Sequence, residues 1–240
     1  MYKTKGFIIG AILLVLVVIP GNIGLACGAE PALPPPITEP ATSPSTTPKL
    51  SEETLPPTPP ETNISAGYRT YTDEFNIFSI SYPSDWDMAQ SLNPELNQKR
   101  KAALNNLKSG IPVENNSLLF LAVPRELKGH DAATVRLTVD PVAAGVSTND
   151  QMVDLIIRLD RQVYPDYHEF SRVKTTVNGR EATIVDFDWR LAEYPRFRLL
   201  EMMMLVDKTT WFITCSTSSD DFAMWQNDFD TIVRSLRISN

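Results

Sequence analysis

The chain has 240 residues, net charge −7 and two cysteines, Cys27 and Cys215. So acidic a chain repels nucleic-acid phosphates, and a nucleic-acid partner is not expected. Two cysteines in unlike settings make no disulfide framework, and no Cys/His spacing fits zinc.

The first 28 residues read as an export leader. Lys3 and Lys5 form a basic start, Phe7 to Ile19 is an apolar run, and Pro20, Gly21 and Gly24 then break it. Leu25, Ala26, Cys27 and Gly28 resemble a bacterial lipobox, in which the cysteine thiol is lipidated. The pattern departs at Gly24, where leucine is usual, with the leucine one position late at Leu25. An uncleaved anchor is the alternative, because Gly6 to Ala29 carries no charge and ~20 apolar residues span a bilayer. Both readings put Lys3 and Lys5 on the cytoplasmic side and the rest outside. The expected location is therefore the outer face of the cell membrane.

Residues 29–66 read as a tether. Eleven prolines fall between Pro31 and Pro60, with Thr and Ser between them. Proline removes backbone donors and favours polyproline II, and too few apolar residues remain for a core. Asn63, Ile64 and Ser65 match a glycosylation sequon.

Residues 67–240 mix apolar and polar side chains as one domain does, and a domain of this size buries roughly 70% of its unfolded surface. A first strand is expected near Tyr68, and Phe75 to Tyr82 alternates as a second. Asn93 and Pro94 predict a helix start, with Leu96, Ala103, Leu104 and Leu107 as its stripe and Gly110 as its stop. Strands follow at Ser117 to Val123 and Ala133 to Val139. Thr148 and Gln151 have capping-box spacing ahead of Met152, Leu155, Ile156, Leu159 and Val163, and Pro165 ends that helix. Four strands are predicted at His168–Val177, Glu181–Trp189, Arg196–Val206 and Thr210–Thr217. Asn178 and Gly179 signal a hairpin, and Asp207 to Thr209 a second turn. Ser219, Asp220 and Asp221 should cap a last helix, with Phe222, Trp225, Phe229, Ile232, Val233 and Leu236 on one face. This order gives an α+β fold, an antiparallel sheet flanked by helices.

Phe75 to Trp86, with its Tyr82-Pro83 pair, resembles the opening of PsbP-like domains. Trp225, Phe229 and the run to Ile238 resemble their last helix and exit. The resemblance covers Tyr68 to Ile238 and implies an α-β-α sandwich. The family includes the photosystem II extrinsic protein, nuclear transport factors that bind a small GTPase, and DcrB-like lipoproteins, so it does not choose a function. The leader makes the lipoprotein branch the closer likeness. Some photosynthetic members bind divalent metals, but no residues here match those ligands.

No phosphate loop, nucleophile elbow or zinc motif is present. His130 and His168 read as surface or structural, and Cys215 as a buried, inert thiol. Asp186 and Asp188 share a strand face, and Asp220, Asp221, Asp228 and Asp230 crowd the last helix. A solvated acidic surface accounts for them, with calcium as the alternative. Lys99, Arg100 and Lys101 read as a solvated helix face. Met202 to Met204 span both faces of a strand, and suit either two buried faces or an adaptable binding surface.

The expectation is a non-catalytic binding or assembly module without cofactor, anchored at the membrane and meeting an envelope protein. An envelope hydrolase using scattered carboxylates and a calcium-binding accessory protein are the alternatives. Cys27→Ser should abolish incorporation of a radioactive fatty acid. Labelling that persists would contradict lipidation.

Overall fold

The computed structural model describes residues 67–89, 93–126, 133–164, 166–190 and 195–239. The leader with Cys27, the tether with Asn63, and the expectations for His130 and Pro165 lie outside them.

Strands β1 (Tyr68–Thr72) and β2 (Phe78–Pro83) form an antiparallel hairpin. The second strand starts at Phe78 rather than at the expected Phe75. The Asp73 carboxylate accepts the N–H groups of Phe75 at 2.8 Å and Phe78 at 2.6 Å, and Asn76 turns the chain at φ 56°. Asparagine tolerates this left-handed conformation better than most residues. A short strand not predicted from sequence, β3 (Trp86–Met88), places Trp86 in the core.

Helix α1 (Pro94–Lys108) starts where expected, its Asn93 side chain accepting from the N–H of Glu95 and Leu96. Arg100 corrects the reading of a solvated basic face. It is only 7% exposed, and its guanidinium donates to both Glu74 oxygens and to the Tyr71 hydroxyl. Lys99 and Lys101 do face solvent.

After β4 (Ser117–Pro124) and β5 (Thr134–Pro141), helix α2 (Asn149–Val163) is capped by the Thr148 hydroxyl, which accepts the Gln151 N–H. The return bond is displaced by one residue, from the Ser147 N–H to the Gln151 side chain. A meander follows: β6 (His168–Val177), β7 (Arg180–Trp189), β8 (Phe197–Val206) and β9 (Thr209–Ser218). Asn178 at φ 50° and Gly179 at φ 80° make the primed turn that matches strand twist. Helix α3 (Phe222–Ser235) precedes β10 (Arg237–Ile238). Ser219 does not cap α3. The Ser218 hydroxyl accepts the Asp221 N–H instead, and Asp221 itself is helical in backbone.

The strands form two antiparallel sheets rather than one. Seven lie in the order β3-β4-β5-β9-β8-β7-β6, and three in the order β1-β2-β10. Side chains alternate between faces along each strand. On one face of the large sheet, Val135, Leu137, Ile184, Met202, Ile213 and Cys215 pack in a single core with Leu104 of α1, Phe229 and Ile232 of α3, and Ile80 of the small sheet. On the other, Val185, Phe187, Met203 and Phe212 pack against Met152, Val153 and Ile157 of α2. The result is the expected α+β arrangement, with helices on both sides of an antiparallel sheet.

Met202 and Met204 therefore lie in one core and Met203 in the other, all three buried. They are packing residues, not a binding surface. Cys215 is buried, and burial pushes its thiol well above the ordinary value, so the inert reading holds. Among the described residues no helix is long and apolar enough to cross a membrane.

Phe229 is fully buried against Phe222 and the sheet. Phe229→Ala should lower unfolding stability by about 3–5 kcal/mol, measured by urea denaturation with the slope unchanged.

Candidate functional site

Strand β5 alternates strictly. Val135, Leu137 and Val139 enter the larger core, which leaves Thr134, Arg136, Thr138 and Asp140 on the face toward α2. The register then aligns one polar row across three strands. Arg136 pairs with Thr214 on β9, and Thr214 pairs with Glu201 on β8. Neighbouring strands lie about 4.8 Å apart, so Arg136 and Glu201 are separated by roughly 10 Å of backbone with Thr214 between them. The Thr214 hydroxyl donates to a Glu201 oxygen at 2.7 Å.

Helix α2 lies over β7 and β8 and leaves β5 and β9 less covered. A cavity of ≈ 470 Å³ opens between the helix and this polar row. Met152, Leu155, Ile156 and Leu159 of α2 form its roof, and Phe187, Trp189 and Phe212 its sheet-side wall. Tyr164, the residue that ends α2, stacks on Trp189 with ring centroids 4.4 Å apart. Val142, Ala143 and Val146 close the side beyond β5.

Charge is concentrated at the cavity floor. Arg136 is 5% exposed, and its Nε and Nη1 have no hydrogen-bond acceptor among the described residues. Burial pulls its ionisation downward, opposed by the charges of Glu201 and Asp140. Glu201 is 8% exposed. Burial pushes its carboxyl up, against the Thr214 hydrogen bond and the Arg136 charge. Asp160, on the last turn of α2, is pushed up to about 8 by burial and secondarily by Glu201. Asp140 is raised by burial too, but it accepts the Asn116 N–H at the cavity edge. The Tyr164 hydroxyl is raised for the same reason, with Asp160 adding to it.

The stripe of Met152, Leu155, Ile156 and Leu159 was legible in the sequence, but none of the charged cavity residues was singled out there. A signal existed. Thr134, Arg136, Thr138 and Asp140 interrupt an apolar strand at every second position, and Glu201 interrupts a run of Leu and Met. Such placement in a central strand requires a polar face.

The residues that the sequence did single out are elsewhere. Asp186 and Asp188 are not a solvated acidic surface, being 8% and 6% exposed. Arg198 grips Asp186 through Nε at 2.9 Å and Nη2 at 2.7 Å. The same guanidinium lies 4.2 Å from the rings of both Phe170 and Phe222. Arg196 donates to Asp188 at 2.7 Å. His168 is exposed, edge-on to Phe170, and 3.9 Å from Asp188. Along α3, Asp228 accepts the Tyr68 hydroxyl and Asp221 accepts from Ser218. Among the described residues no group of three or more His, Cys, Asp or Glu is arranged to hold a metal.

No protein-family model matches the chain, and no curated protein matches it. Solved structures do resemble it in backbone. A Pseudomonas aeruginosa protein of unknown function is 12% identical with TM-score 0.49, covering 72% of this chain and 98% of that one. The cyanobacterial PsbP of Synechocystis is 11% identical with TM-score 0.49, covering 77% and 100%. LpqN of Mycobacterium tuberculosis, involved in cell envelope biogenesis, is 8% identical with TM-score 0.47, covering 72% and 91%.

Asp160 carries a pH signature. Its folded value, about 8, lies above the ordinary 3.8. The folded state then binds more protons than the unfolded one between those values, so stability is full below 3.8 and is lost as pH rises through about 8. Asp160→Asn keeps the shape without the titration. It should raise the melting temperature on the alkaline side, by about 2–4 °C per kcal/mol relieved, and flatten the pH profile in thermal melts.

Proposed function

We propose that the chain is a membrane-tethered, non-catalytic binding module that holds a small, largely apolar molecule in the cavity beneath α2. The observation that carries this reading is the cavity itself. A concavity of ≈ 470 Å³ with an apolar, aromatic wall and a few convergent polar groups has the character of a small-molecule site. The leader and tether supply an address: an export signal, a lipidation or anchor point at Cys27, and a spacer that holds the domain off the membrane. An envelope protein that receives or senses the loaded domain belongs to the same proposal.

Titration calorimetry on the full chain in lipid nanodiscs tests it, with phenylbutanol as a neutral probe and empty nanodiscs as the blank. Saturable binding is expected. Ala143→Trp, an exposed lining residue, should weaken it by about tenfold or more by filling the mouth. Absence of saturable binding would sink the reading.

The convergence of Asp160 and Glu201 on one cavity favours a second reading, an envelope hydrolase. An acid and base pair needs environments that push the two carboxyls apart. Here burial pushes both in the same direction, upward, rather than apart. The non-catalytic reading is therefore preferred. A panel of ester, amide and glycoside substrates should give no turnover above background. Turnover abolished by Glu201→Gln would reverse the preference.

A further inference from the structure

We propose that the cavity takes an organic monocarboxylic acid with an apolar body, its carboxylate seated on Arg136 beside Thr214. This rests on the cavity being a ligand site, and adds the chemistry of the ligand.

Arg136 is the starting point. A guanidinium presents five N–H donors in a fixed fork and has no acceptor capacity of its own. Here Nε and Nη1 are both buried and neither has an acceptor among the described residues. Buried donors of this kind are paired in the great majority of structures. The Thr214 hydroxyl gives its proton to Glu201 and makes no hydrogen bond to Arg136 Nε or Nη1, and Asp140 accepts the Asn116 N–H. Arg136 is one of the residues lining the cavity, so a guest there is the available source of an acceptor for its guanidinium.

The sign of the ligand follows from which charges are permanent. Asp140, Asp160 and Glu201 all face the cavity, with the Tyr164 hydroxyl above them, and an amine might be thought to suit them. Each carboxyl, however, can discharge itself by taking a proton, and burial drives all three that way. Arginine cannot discharge in the same manner. The charge that the fold cannot remove is positive. A protonated Asp160, which burial favours, would moreover donate an O–H to a ligand carboxylate, a short, charge-assisted bond.

One cation also limits the charge of the ligand. Arg136 is the only Lys or Arg among the described residues that line the cavity. A phosphate monoester would bring a second negative charge against three carboxyls with nothing to offset it. The remainder of the ligand must be apolar, since it meets Met152, Leu159, Tyr164, Phe187 and Trp189. A body of roughly 10–20 non-hydrogen atoms suits a cavity within the usual range of small-molecule sites.

The test is titration calorimetry on the full chain in nanodiscs with four water-soluble probes: phenylbutanoate, phenylbutanol, phenylbutylamine and phenyl phosphate. Phenylbutanoate should bind about tenfold or more tighter than phenylbutanol, the ratio expected of one charge-assisted hydrogen bond. Arg136→Met should bring the acid down to the level of the alcohol, and Arg136→Lys should restore part of the difference. Methionine removes an under-satisfied buried charge while filling similar space, so the variant should melt no lower than the parent. If it does not fold, the ratios among the four probes in the unaltered protein decide. The inference is overturned if the acid binds no tighter than the alcohol, if its advantage survives Arg136→Met, or if the amine or the phosphate binds tighter. An alcohol that binds without an acid preference leaves the ligand cavity standing and removes only the carboxylate. Failure of both acid and alcohol to bind removes the cavity reading as well.

Discussion

The register of β9 between β5 and β8 is the constraint on which the rest of the structure depends. β9 is the middle of seven strands, and its side chains alternate between an all-apolar core and a mixed polar face. A slip of one residue would exchange the two faces of a strand. A slip of β5 or of β8 against β9 would turn Arg136 or Glu201 into the core beneath α3, where Phe229 and Ile232 could offer it nothing. Burying an unpaired charge there costs several kcal/mol even after relaxation. The apolar alternation of β5 and β9 thus fixes the sheet, and the same alternation gathers the polar row on the opposite side.

The two faces are covered unequally, and the cavity follows from that. One face is closed by α1, α3 and the three-stranded sheet, which together bury Trp86, Phe78 and Phe229. Among the described helices, the other has α2 alone. One helix is about 10–12 Å across with its side chains, too narrow for seven strands at about 4.8 Å spacing. α2 settles over β7 and β8, where Val185, Phe187 and Met203 give it an apolar seat. It leaves β5 and β9, where the face carries Thr, Arg and Asp. Apolar matching therefore places the helix, and the mismatch beside it leaves the space.

Local features were legible in the sequence because their causes are local. Asn93 and Pro94 start α1, and Asn178 and Gly179 form the primed turn, each through contacts within a few residues. β3 and β10, at three and two residues, are too short to show a period. The corrected residues share another property. Arg100 meets Glu74, Arg198 meets Asp186 across strands, and Glu201 reaches Thr214 and faces Arg136. These partners are set by strand order and helix docking, which no local spacing reveals. A charged residue in an alternating strand could be flagged from sequence. Its partner could not be named.

The chemical character of the site turns on a shared direction. Asp160 and Glu201 come from different elements, yet burial raises both, and Arg136 between β4 and β9 is too thinly served with acceptors to be a settled ion pair. A catalyst needs groups driven apart, one to hold a proton and one to lack it. A container needs the reverse: neutral walls, and one fixed charge whose satisfaction is left to the guest. The cavity beneath α2 is built on the second plan. Its wall is aromatic and aliphatic, burial pushes its carboxyls toward neutrality, and Arg136, the one permanent charge among the described lining residues, borders a space that a guest can fill.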